Sequence, residues 1–101
     1  MQHSEARVQT GTPARYLGQL CKHFAHKIPV TLDSDTGSIA FQMGLCRLAI
    51  DGDVLILRAE AADEAALVQV QDVVARHLLR FAFRDPPSIE WHGTTEPDAG
   101  K

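Results

Sequence analysis

The sequence predicts an α+β fold, a two-layer sandwich in which a mostly antiparallel sheet carries two amphipathic helices on one face. Three observations carry that expectation. Apolar residues recur at helical spacing in two blocks, around residues 13–28 and 63–81. Between the blocks the pattern switches to strict alternation, and short polar turns interrupt the alternating part, as hairpins require. At 101 residues, with 45% hydrophobic and 23% charged side chains, the chain can bury one core without metal or disulfide support.

Residues Glu5 to Gln9 read as a short first strand. Thr10 or Thr12 then caps a helix with Pro13 in its first turn, and Leu17, Leu20, Cys21, Phe24 and Ile28 follow at helical spacing until Pro29 stops it. Val30 and Leu32 alternate with Thr31, Asp33 to Gly37 makes a turn, and Ile39 and Phe41 alternate with Ala40 and Gln42. Gly44 allows a reversal, after which Cys46, Leu48 and Ile50 point one way while Arg47 and Ala49 point the other. Asp51-Gly52-Asp53 closes a hairpin into a strand with Leu55, Leu57 and Ala59 inward and Val54, Ile56 and Arg58 outward. Asp63 caps a long second helix whose apolar face holds Ala66, Leu67, Val70, Val73, Val74, Leu78 and Phe81. Pro86-Pro87 ends it, and Ser88 to His92 reads as a last strand burying Ile89 and Trp91. Residues 1–92 thus form one domain, and the polar run from Gly93 to Lys101 reads as a disordered tail.

A net charge of -3 offers no electrostatic case for nucleic acid. No apolar run approaches the ~20 residues that span a bilayer, so no membrane partner is expected. The first residues lack the basic-then-apolar order of a signal peptide, so a cytoplasmic location is expected. Cys21 and Cys46 form neither a CxxC pair nor a dense framework and read as small buried residues.

No P-loop, dinucleotide-binding glycine string, HExxH or nucleophile elbow is present, so no cofactor and no catalytic residue is assigned. Asp35-Thr36-Gly37-Ser38 matches the active-site string of aspartic proteases, yet two long helices contradict that nearly all-β fold. The same turn fails as a calcium loop, because its glycine comes one position early and Gly44 stands where the closing Glu belongs.

What remains is a pair of blocks in which histidine, aromatic and basic residues interleave, Cys21 to Lys27 and His77 to Arg84. They hold three of the five histidines and three of the four phenylalanines. Cys21 and His23 diverge by about 160° around the first helix and cannot easily share a metal. His23 and His26 could, but no further ligands are in view, and no metal site is assigned. His77 falls within the apolar face of the second helix, either as a core histidine bonded to the backbone or as the wall of a pocket near Tyr16 or His23. Arg80 and Arg84, four apart, either hold an anion with Arg15 or Lys27, or pair with Asp85 or Glu90 in solvent. The candidate ligand-binding set is Tyr16, His23, His77 and Arg80. The outer sheet face, with Ala40, Ala49, Val54 and Ile56 among polar residues, is either plain solvent-facing sheet or a homodimer interface.

Thr12-Pro13-Ala14-Arg15-Tyr16-Leu17, the Cys21 to Lys27 block, and Val74 to Arg84 with Trp91 behind it resemble an uncharacterised bacterial family of about one hundred residues. The resemblance covers roughly residues 5 to 92. It implies a link to siderophore-interacting flavin reductases, hence to iron acquisition, and brings no catalytic residues with it. The leading reading is a non-enzymatic accessory or small-ligand-binding domain tied to iron or siderophore handling, with a siderophore-related reductase as partner. A homodimeric interaction module and a small enzyme of unknown reaction are the alternatives.

Overall fold

The computed structural model describes residues 1–93, and the remainder of the expected tail lies outside the described residues. Six strands and two helices follow in the order β1 (Gln2–Gln9), α1 (Pro13–Ala25), β2 (Val30–Leu32), β3 (Thr36–Ala40), β4 (Gly44–Asp51), β5 (Val54–Ala61), α2 (Glu64–Phe81) and β6 (Trp91–Gly93). The strands form one sheet of order β2-β3-β4-β5-β1-β6, and every neighbouring pair is antiparallel. The predicted α+β sandwich is therefore the fold. β1 lies in the sheet beside β5, α1 carries the chain across one face to the far edge, a four-strand meander returns to β1, and α2 crosses back to place β6 on the other side of it.

The core lies between the sheet and the helices. Ala6 and Val8 of β1, Leu55, Leu57 and Ala59 of β5, Cys46 and Leu48 of β4 and Ile39 of β3 are buried beneath Leu17, Leu20 and Cys21 of α1 and Val70, Val74 and Leu78 of α2. Ser4, also buried, accepts a hydrogen bond from Gln71 Nε2 at 2.6 Å, which satisfies it and ties β1 to α2. Both cysteines are free and buried. Burial pushes the Cys21 thiol up, and burial, with Cys21 nearby, pushes that of Cys46 up to about 12, so neither is a ready thiolate.

Several boundaries differ from expectation. β1 starts at Gln2 rather than Glu5 because its first residues pair with the end of β5, Gln2 opposite Ala61. Helix α1 stops at Ala25: the amides of Lys27 and Ile28 both turn back onto the Phe24 carbonyl. Thr12 is the N-cap residue, but its side chain caps nothing; its amide bonds to Thr10 Oγ1 at 3.2 Å. Asp63 does cap α2, accepting from the Ala66 amide at 2.8 Å. That helix ends at Phe81, ahead of Pro86-Pro87. The last strand is the short stretch Trp91–Gly93; Trp91 is half-buried because it lies on the sheet edge beside β1 alone, and Ile89, also half-buried, precedes the strand. Phe41 leaves the strand for a turn, its amide bonded to the Gly44 carbonyl at 2.7 Å.

Gly44 has no positive φ, so its value is not conformational freedom. A Cβ there would strike the Glu60 carbonyl and approach Val70 Cγ2 to 2.9 Å. Gly52, by contrast, has φ 61°. It is the first central residue of a two-residue hairpin loop, the place where a type II′ turn demands glycine.

Candidate functional site on the helix seam

β1 and β5 are antiparallel, and each feeds a helix, so α1 and α2 start at opposite ends of the sheet and run antiparallel. Because the two helices are offset along their axes, the last turn of α1 meets the last third of α2, and the two histidine blocks touch. The rings of His23 and His77 lie 4.9 Å apart, tilted by 47°. Phe24 sits 4.8 Å from His77 and edge-on to His23 at 5.0 Å. Phe81 closes on His23 at 5.7 Å, and Phe41 backs Phe24 at 5.0 Å.

His77 is half-buried, not deep in the core. Its Nδ1 lies 2.6 Å from the Val73 carbonyl oxygen, one turn earlier. A carbonyl only accepts, so Nδ1 carries the hydrogen and the neutral ring presents Nε2 as an acceptor. Features of both expectations coexist: the ring is bonded to backbone, and it also faces His23 and lines an open surface cleft with Arg80.

Tyr16 does not join them. It precedes His23 by seven residues, about 10 Å along the helix axis, and lines a separate cleft with Arg15, Phe81, Arg84 and Asp85. Phe81 borders both regions. Of the four expected ligand-binding residues, the fold thus gathers His23, His77 and Arg80. The arginine pair is split in the same way, with Arg80 in the first cleft and Arg84 in the second. Among the described residues neither forms an ion pair with Asp85 or Glu90; Arg84 lies 5.7 Å from the centre of the Phe83 ring instead.

The family model for an uncharacterized protein conserved in bacteria (DUF2218) matches residues 5–92, a span that includes both histidine blocks. The chain is a DUF2218 protein. The NMR structure of PA4090 from Pseudomonas aeruginosa is similar to it, at 37% identity over 91% of this chain and 96% of that chain, with a TM-score of 0.78. No curated protein matches the chain.

Electrostatics along the seam of this DUF2218 protein are positive. Partial desolvation, together with His77, Lys27, Arg80 and His26, holds the His23 imidazole below its ordinary range. The C-terminus of α1 contributes about half a negative charge there. Lys27 and Arg80 contribute two full positive charges that no carboxylate pairs among the described residues. The balance favours an anion over a bare cation. Among the described residues no group of three or more His, Cys, Asp or Glu could hold a metal.

A second concavity lies on the opposite face of the sheet. It is an open groove of about 440 Å³ lined by Thr31, Thr36, Ser38, Arg47, Ile56 and Arg58, among others. Arg47 and Arg58 stand directly opposite each other on β4 and β5. Sequence reasoning placed both on the outer face and missed their pairing, although a signal existed: the two-residue loop after Asp51 pairs residues whose numbers sum to 105. No helix of the protein's described residues is long and apolar enough to cross a membrane.

Proposed function

We propose that this protein is a non-enzymatic accessory domain that binds a small anionic ligand on the helix seam, through His23, His77 and Arg80. The single observation that carries the reading is the contact of the two imidazoles at 4.9 Å, with Arg80 beside His77 in an open cleft. Aromatic faces and unpaired cations together suit a flat, negatively charged molecule: rings stack, and the Arg80 guanidinium and a ring N–H of His23 donate to its oxygens. A ferric siderophore chelate is the ligand class that the family resemblance implies, with a siderophore-interacting flavin reductase as partner. The local charge refines that class. A site that repels bare cations accepts iron only after oxygen ligands have made the complex an anion.

Equilibrium dialysis with the trianionic ferric tris-catecholate complex, the neutral ferric tris-acetohydroxamate complex and ferric ion alone tests this. The anionic complex should bind at least about tenfold tighter than the neutral one, and His23→Ala, His77→Ala and Arg80→Gln should each weaken it. Failure of the wild type to bind the anionic complex, or equal binding of the neutral one, would remove the reading.

A further inference from the structure

We infer that the outer sheet face carries a second, independent ligand site, the groove between Arg47, Arg58 and the hydroxyls of β2 and β3, built for a small carboxylate with an apolar body. Like charges directly opposite each other on neighbouring strands repel, and Arg47 and Arg58 are such a pair. Each is neutralised from one side only. Arg47 Nε meets Glu60 at 3.2 Å and Arg58 Nε meets Glu5 at 2.8 Å, and both acids line a neighbouring concavity with His3 and Ser4. The two arginines therefore form a ridge between two hollows. On the acid side their charge is met; the groove on the other side is lined by both arginines and by no carboxylate.

Anchoring through Nε leaves the terminal Nη atoms of both guanidinium groups without a protein partner among the described residues. Two guanidinium groups held in place are the fork that a planar carboxylate accepts in bidentate fashion. Thr31 Oγ1 and Ser38 Oγ are 2.7 Å apart, so one hydroxyl donates to the other and the second keeps its hydrogen for a ligand. Beside Thr36, the remaining side chains of the lining are apolar, with Ile56, Ala49 and Leu45. Gly37 and Leu48 also line the groove although both positions face the helix side, where a Cβ on Gly37 would strike Cys21 Sγ and the Leu48 side chain is buried in the core. They reach it only through main chain, so the groove bottoms out on the sheet backbone. Its volume falls within the range of small-molecule pockets, toward the low end.

The test is an amide-resolved NMR titration with 1-naphthoate and its neutral isostere 1-naphthamide. Naphthoate should shift the amides of Ser38, Arg47 and Ile56 saturably with a Kd below about 1 mM, and naphthamide should bind at least about tenfold more weakly. Arg47→Gln and Arg58→Gln should each weaken naphthoate about tenfold while unfolding stays cooperative, and Arg76→Gln on α2 should change nothing. Equal binding of the amide, no saturable shift, shifts confined to His23 and His77, or burial of the face in a dimer detected by light scattering would each overturn the inference. Because the seam and the groove lie on opposite sides of the sheet, loss of one site leaves the other readable.

Discussion

Leu57 and Ile56 are adjacent aliphatic residues in β5 with opposite surroundings. Leu57 is wholly buried under the helices, whereas Ile56 is half-exposed on the bare face. The same contrast runs through the sheet. The helix side is apolar, with Ser4 as its buried polar residue among the described residues, and the outer side carries Arg7–Asp51, Arg58–Glu5 and Arg47–Glu60 ion pairs between strands. Hydrophobic burial on one face provides the driving force for folding. The other face is released from packing, and charges can stand there in register.

Substitutions on the two faces should separate widely. Leu57→Ala should cost about 2–5 kcal/mol of unfolding free energy, as large-to-small changes in packed cores do, while Ile56→Ala should cost under about 1 kcal/mol. Urea denaturation of the two variants checks this, and equal costs would break the distinction between the faces. Gly44→Ala should fall between them, at about 1–3 kcal/mol, because the added methyl must push Val70 or the β5 backbone away. Ile56→Glu sharpens the comparison in another way. If the outer face is open to small ligands, light scattering should give the same monomeric mass for wild type and variant; a dimer that dissociates on this substitution would assign the face to a second copy of the chain.

The architecture was legible because it depends on periodicity. Alternation in β4 and β5 identified the inward residues Cys46, Leu48, Leu55, Leu57 and Ala59, which are buried, and Ile50, which is half-buried near the end of β4. Helical spacing did the same for Leu17, Leu20, Cys21 and Phe24. Contacts set by chain direction were harder to read. Nothing local in the two histidine blocks reveals that the helices run antiparallel, and that direction decides which residues share a cleft: it joins His23 to His77 and leaves Tyr16 beside Arg84. Helix α1 also ends three residues before Ile28, since the chain turns onto the Phe24 carbonyl before Pro29 is reached. The groove needed register as well as face, and only the hairpin loop at Gly52 contained it.

Acid should also act on the outer face, through Glu5. The hydrogen bond and charge of Arg58, reinforced by Arg7, hold the Glu5 carboxyl below its usual range despite some desolvation. A carboxylate with a depressed folded-state pKa contributes stability above the unfolded value, and that contribution is lost as pH falls through the folded value. Glu5→Gln should therefore flatten the acid limb of a urea-midpoint profile below about pH 4.5. An unchanged acid limb would mean that the ion pair contributes nothing measurable, as many exposed pairs do.

His23 should give the smallest effect and the most local one. Its pKa is lowered in the fold, so an unfolded chain, with an ordinary histidine near pH 6.5, takes up the proton first as pH falls. The associated stability is present above about pH 6.5, declines as pH falls toward the folded value, and stays level below it. Arg80 is one of the charges responsible. Arg80→Gln should thus raise the His23 pKa, read from its ring proton shifts by NMR, more at low salt than at high salt. His26→Ala should raise it as well, since His26 contributes in the same direction. A bound anion must act as these substitutions do, because it too relieves the positive field, and affinity for the ferric tris-catecholate complex should rise as His23 becomes protonated. If His23 titrates identically with and without Arg80, the two groups do not share a field, and the seam loses the electrostatic basis for treating them as one site.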